Sequence, residues 1–493
     1  CVGGLEASNA SATATWGYGN GAMYNPSAIT NDGTYLYVGT SGAILRFLLS
    51  NGSFQGWIGK AYTTAPTSGA GGCTSLSNGT TAPGWCFGGT YRQATSGAEV
   101  AAGGIYSPSN MYISGGSLYV LESAYSGYII KYDVATGAFQ SVLPNLAHNW
   151  PGAYDFIQDP NSSYIFVADH YRVTAVDSTG TVNAWMGKVA NNASMSAGLS
   201  NTSDCSTVSI NSTTPGWCLG GSGKSGTDET AFVNARAVEI DSSGNLLVGQ
   251  FSNATIKKFS STTGQYLGTL VSSSEAPTQW TNDSTTVAEV YGFGDNDFWN
   301  PTGSYSDGTY LYVIDGANGR VKKIRSSDGV LIGYIGVVTS TPTDGASPSC
   351  LTVNPMSFTS AWCLGANSNP YWGIGDLTGN GGRIDGNLFV PVGITGDGTY
   401  LYVVDQGLHR INKFNASTGA FVGWIGNISQ APTGGASGCT SATAGTFTPG
   451  WCTGGNSTLG SSDGMLYYPS SIVYVSATGN LYVVDNLNHR VAA

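Results

Sequence analysis

Apolar residues in this chain come in short runs separated by Gly, Asn and Asp, and the stretch 300–336 shows the pattern whole. A short stretch containing Tyr305 follows Asn300-Pro301. Then come an Asp307-Gly308 turn, Tyr310-Leu-Tyr-Val-Ile-Asp315, Asn318-Gly-Arg320-Val-Lys-Lys-Ile324, an Asp328-Gly329 turn and Gly333-Tyr-Ile-Gly336. Each piece alternates apolar and polar positions and ends at turn residues, which predicts four short antiparallel strands.

The unit recurs along the chain. Its second-strand signature stands at Leu36-Tyr-Val38, Leu118-Tyr-Val120, Ile165-Phe-Val167, Leu246-Leu-Val248, Leu311-Tyr-Val313, Leu401-Tyr-Val403 and Leu481-Tyr-Val483, seven copies spaced 82, 47, 81, 65, 90 and 80 residues apart. The shortest spacing matches a four-stranded propeller blade of about 45 residues. The expected fold is therefore all-β, a seven-bladed β-propeller of four-stranded antiparallel blades with insertion loops on one face. The seventh unit stops at Asn488-His-Arg490-Val-Ala-Ala493 inside its third strand, and Thr13 to Gly19 resembles its outer strand. Residues 1–12 then read as a polar tether and 13–493 as one propeller, with 13–19 closing the last blade in cis or in trans.

Composition narrows the function. Of 493 residues 72 are Gly, and only 10 % are charged, which excludes helix-rich and coiled-coil classes. A net charge of −11 opposes nucleic-acid binding. No run of about 18 apolar residues is present, so no membrane-spanning helix is predicted.

Eight of the nine cysteines form four equally spaced pairs: Cys73 and Cys86, Cys205 and Cys218, Cys350 and Cys363, Cys439 and Cys452. The residues between are Ser, Thr, Gly and Asn without histidine, which favours local disulfides over zinc and an oxidising, extracellular or cell-surface location. Cys1 is left over and resembles the lipidated first residue of a processed bacterial lipoprotein. An artificial chain boundary and a bond to another chain are its alternatives, and a lipid there would be the protein's one membrane contact.

The segments Tyr402-Val-Val-Asp405-Gln-Gly-Leu-His409-Arg410-Ile411 and Tyr482-Val-Val-Asp485-Asn-Leu-Asn488-His489-Arg490-Val491 resemble the NHL repeat. Units five (Asp315, Asn318, Arg320) and three (Asp169, Arg172) keep parts of it, unit two has Glu122, and unit four has Gln250 and Asn253 without arginine. The resemblance implies a propeller but no single function. NHL-type propellers include protein- and RNA-binding modules, a copper- and zinc-dependent amidating lyase and secreted proteins.

His170, His409 and His489 occupy the same turn of three units, so their shared position has a structural cause; Asp and Arg are expected to tie that turn together. His148 stands alone between units two and three. Asp295 and Asp297, and Asp376 with Asp385, are weak calcium candidates, since oxygen donors alternate around glycines without the full twelve-residue loop. The loop tryptophans Trp85, Trp217, Trp362 and Trp451 are expected to pack on the disulfides, with stacking on sugars as the second reading. Glycosylation sequons stand at Asn9, Asn51, Asn78, Asn161, Asn192, Asn201, Asn211, Asn253, Asn282, Asn415, Asn427 and Asn456.

No nucleophile elbow or phosphate-binding loop is present. The reading that follows is a non-enzymatic extracellular propeller without a resident cofactor: a cell-surface, adhesive or fibre-forming scaffold, glycosylated, self-associating by N-terminal strand exchange. Glycans and surface proteins are its other expected partners. The alternative is a secreted enzyme or a glycan- or peptide-binding protein that uses the central channel with calcium.

Overall fold

The computed structural model describes residues 21–122, 127–143, 153–199, 204–250, 252, 255–270, 280, 292–295, 297–368 and 385–493. The unit expected at 300–336 forms as Pro301–Ser306, Tyr310–Asp315, Arg320–Arg325 and Leu331–Val338, hydrogen-bonded in chain order and antiparallel throughout. Seven such sheets are present among the described residues; six have this four-strand meander, and the seventh has three strands, Pro469–Val475, Asn480–Asp485 and Arg490–Ala492. The fold is all-β, of β-propeller type. Cys1 and the whole of 1–19 lie outside the described residues.

By backbone proximity the chain divides into two compact units: Cys1–Ser225 with Thr230–Val238 and Val475–Ala493, and Gly226–Glu229 with Glu239–Tyr474. In the first, sheets one and two bury Ile44 and Ile58 against Leu118, Val120 and Ile130, and sheets two and three bury Leu121 and Ile129 against Phe156 and Val167. In the second, Ile314, Val321 and Ile335 of sheet five meet Leu401, Val403 and Phe414 of sheet six.

Face-to-face stacking corrects the expected alternation. Tyr310–Asp315 is buried at five of six positions and Ser117–Glu122 at all six. A strand with a sheet on either side has no solvent face, so both sets of its side chains are apolar or internally paired.

Four of these sheets are also tied to the next by polar bonds. A cation on the third strand donates to the carbonyl of the following sheet's hairpin turn: Arg46 to Ala135 O (3.3 Å), Lys131 to Ser178 O (2.8 Å), Lys258 to Ser326 O (3.0 Å) and Lys323 to Ala416 O (2.8 Å). A tryptophan reaches the same turn through its indole N–H: Trp85 to Val134 O (3.1 Å), Trp280 to Ser326 O (3.3 Å) and Trp362 to Ala416 O (3.2 Å). Gly419 of one such turn sits over Trp362 with φ +79°, where an added Cβ would lie 2.7 Å from the Trp362 nitrogen. Trp280 was not singled out from sequence because its connection has no cysteines, yet it does the work of Trp85. Trp280→Phe is expected to cost about 1 kcal/mol, the ordinary net value of one buried hydrogen bond, read from the urea midpoint.

Candidate functional site

The residues that carry chemistry gather at the turn between second and third strands. Arg320 Nε donates to Asp315 Oδ2 (2.7 Å), Arg490 Nε to Asp485 Oδ2 (2.9 Å) and Arg172 Nε to Asp169 Oδ2 (2.9 Å), the expected tie. The carboxylate has a second task. Asp315 accepts the Trp299 amide (2.6 Å), Asp405 those of Phe389 (2.8 Å) and Val390 (3.1 Å), and Glu122 those of Tyr106 (3.0 Å) and Ser107 (2.8 Å). These amides lead into the first strand, which begins with Pro, so the acid holds the sheet's beginning to its centre. Glu122 shows that this role survives without the arginine.

The three histidines stand on separate turns, each in the left-handed region, at φ +42° for His170 and +53° for His409 and His489; Gly319 takes that place in unit five. His409 Nδ1 accepts the Tyr468 amide (3.2 Å) and His489 Nδ1 that of Asn25 (3.3 Å), so each ties its turn to the lead-in of another sheet. Burial lowers the pKa of all three. Among the described residues no three His, Cys, Asp or Glu side chains come together as metal donors. His148 lies outside them.

Burial raises the Glu122 carboxyl to about 7, against the pull of its two amides. Folded Glu122 therefore holds a proton that the unfolded chain releases between about pH 4.5 and 7, and its contribution to stability is lost as pH rises through that window. The histidines have the opposite sign: their depressed pKa values cost stability as pH falls below about 6.5. Glu122→Gln removes one term only. Its penalty against the parent protein should shrink from pH 5 to pH 8, measured by thermal melting at each pH.

The eight paired cysteines form the four disulfides Cys73–Cys86, Cys205–Cys218, Cys350–Cys363 and Cys439–Cys452. Each second cysteine pairs with the aromatic residue of its own fourth strand, at Trp57, Trp185, Tyr334 and Trp424. The closed loops thus extend the sheets beyond their fourth strands. Four disulfides fit an extracellular or secreted protein. Trp85, Trp217 and Trp362 are at most 4 % exposed, so their faces are closed to a sugar from solvent; they wedge against Tyr37, Phe166 and Tyr312 instead.

The calcium candidates close loops. Asp295 Oδ2 accepts the Gly365 amide (2.7 Å), Asp297 Oδ2 that of Gly294 (2.9 Å), and Asp385 Oδ1 that of Gly454 (2.6 Å). The main-chain carbonyls of Asp295 and Asp297 accept from the Lys322 ammonium, and Arg320 adds a donor at Asp297 O (2.6 Å). Lys322 and Arg320 thus engage the main-chain carbonyls of this segment, while Asp295 Oδ1 is buried without a hydrogen-bond partner among the described residues. Asp376 lies outside the described residues.

No family model matches this chain, and no curated protein matches it. Solved structures similar to it include a streptogramin B lyase, at 10 % identity over 95 % of this chain and 93 % of the other with a TM-score of 0.45. A virginiamycin B lyase from Staphylococcus aureus has 10 % identity over the same shares with 0.43. Kuenenia stuttgartiensis hydrazine synthase has 12 % identity over 95 % of each chain with 0.44. At these values the likeness carries no weight for function.

Sequon positions divide by exposure. Asn51, Asn78, Asn161, Asn192 and Asn211 are exposed, and Asn415 and Asn456 half-buried. Asn427 is a correction: it is 6 % exposed and its Nδ2 donates to Leu459 O (2.8 Å), so a glycan there would have to displace packed chain. Asn9, Asn201, Asn253 and Asn282 lie outside the described residues.

Proposed function

We propose that this chain is a non-enzymatic extracellular scaffold, built on an NHL-type repeat and displayed at the cell surface with glycans on its exposed sequons. One observation supports it above the rest. Most groups offered by sequence as reactive or metal-binding, where they are described, hold the fold: His409 and His489 join turns to lead-ins, acids receive amides, and three of the four loop tryptophans are sealed between sheets. What remains outside is largely Ser, Thr, Asn and Gly, a surface suited to contact and solubility rather than to proton transfer.

Purified natively produced protein should contain no stoichiometric metal by elemental analysis and should turn over no glycan, peptide or lactone substrate. Intact mass before and after deglycosylation should show a glycan load. Turnover, or one calcium per chain, would replace this reading with that of a ligand-processing propeller.

A further inference from the structure

One disulfide loop departs from the other three. At the sixth residue after its first cysteine each loop turns through the left-handed region, at φ +83° for Gly79, +75° for Asn211, +61° for Met356 and +83° for Gly445. The turn has the same task in all four. Its amide donates to a carbonyl of its own sheet's fourth strand, Gly79 to Ala61 O (2.9 Å), Asn211 to Val189 O (2.9 Å), Met356 to Val338 O (2.7 Å) and Gly445 to Ile428 O (2.7 Å). Glycine and asparagine adopt this backbone most easily, whereas methionine is strained in it. The bond to the fourth strand therefore gives no reason for a methionine. The residue after the first cysteine differs too: Thr74, Ser206 and Thr440 in three loops, and Leu351, 54 % exposed, in this one.

Exposure also sets Met356 apart from the other five methionines of the chain. Met186 is sealed, Met23, Met111 and Met195 are at most 7 % exposed and Met465 is half-buried, whereas Met356 is 40 % exposed. Peroxides oxidise thioethers, and an accessible sulfur reacts before a packed one. The eight paired cysteines are already disulfides and offer no competing thiol.

We propose that Met356 is a reversible oxidation site, the point at which this chain accepts an oxygen atom from a hydroperoxide. The Sδ lone pair attacks one peroxide oxygen, the O–O bond breaks, and the leaving hydroxide takes the proton of the transferred oxygen. The thioether is oxidised to a sulfoxide and hydrogen peroxide is reduced to water. The sulfoxide is polar, so the outer face of the Cys350–Cys363 loop loses apolar character, while Val353 beneath it keeps its packing on Tyr334, Val338 and Ala366. The inference stands apart from the scaffold reading and holds whether or not the protein has an activity.

The test treats the native protein, disulfides intact, with a small excess of hydrogen peroxide and follows each methionine by peptide mass spectrometry. Met356 should gain one oxygen about tenfold faster than any other methionine, and reductases specific for the two sulfoxide epimers should remove it. The melting temperature should stay unchanged throughout. Met356→Leu should abolish uptake in that peptide, and Met356→Gly, the residue of two sister loops, should do the same in a protein with all four disulfides. Oxidation of Met465 or of a sealed methionine as fast as Met356 would overturn the proposal. So would unfolding in step with Met356 oxidation, which would make its sulfur part of the core rather than an outer site.

Discussion

Replacing Arg320 with methionine is expected to lower the unfolding free energy by about 3–5 kcal/mol, the cost of breaking a buried ion pair from one side. Arg320 and Asp315 are both fully buried. The guanidinium satisfies Asp315 and also donates to Phe293 O (2.9 Å), Gly294 O (2.8 Å) and Asp297 O (2.6 Å). Its loss takes one charged donor from each of three carbonyls and leaves the buried carboxylate with Lys322 as its cation, whose own charge is disfavoured by burial and by the neighbouring arginine. Arg320→Lys should recover little, because a point charge cannot span the acceptors that the planar fork reaches. Chemical denaturation of the parent and both variants measures this; a change below about 1 kcal/mol for Arg320→Met, no more than an ordinary surface pair contributes, would show that the motif is decorative.

Converting Cys350 and Cys363 together to serine should cost about 3 kcal/mol, the chain-entropy value for a closed loop of this size. Two serines would then occupy sites with no exposure, and the pairing of Cys363 with Tyr334 on the fourth strand would lose its covalent hold. The loss should appear as a lower melting temperature for the variant. Reduction of the parent, which opens all four disulfides, should lower it further than the variant's own loss, and the variant should respond to reductant by the three that remain. Equal melting temperatures would mean that the loop is held by Trp362 and its bond to Ala416 O rather than by sulfur.

Much of this was legible along the chain. The second-strand signature located the seven sheets found among the described residues, and equal cysteine spacing located the four disulfides among them, since both are local patterns that survive without knowledge of neighbours. The Asp-His-Arg turn was legible as a structural motif because the same three residue types recur at one position. Its destination was not: that Asp405 receives the Phe389 and Val390 amides, sixteen and fifteen residues away, depends on how the strands come together.

The sequence by itself determined the strand pattern, the repeat, the oxidised loops and the low charge, because each is a matter of residue type and spacing. Tertiary structure alone decided which polar groups are already engaged. Asp295 and Asp297 read along the chain as free oxygen donors, whereas the fold brings Lys322 and Arg320 to their carbonyls, and Asn427 reads as an open sequon, whereas the fold buries it with its amide on Leu459 O. The physical reason is the same in each case. A side chain's chemistry is fixed by its atoms, but its availability is fixed by desolvation and by partners that the fold brings from elsewhere in the chain.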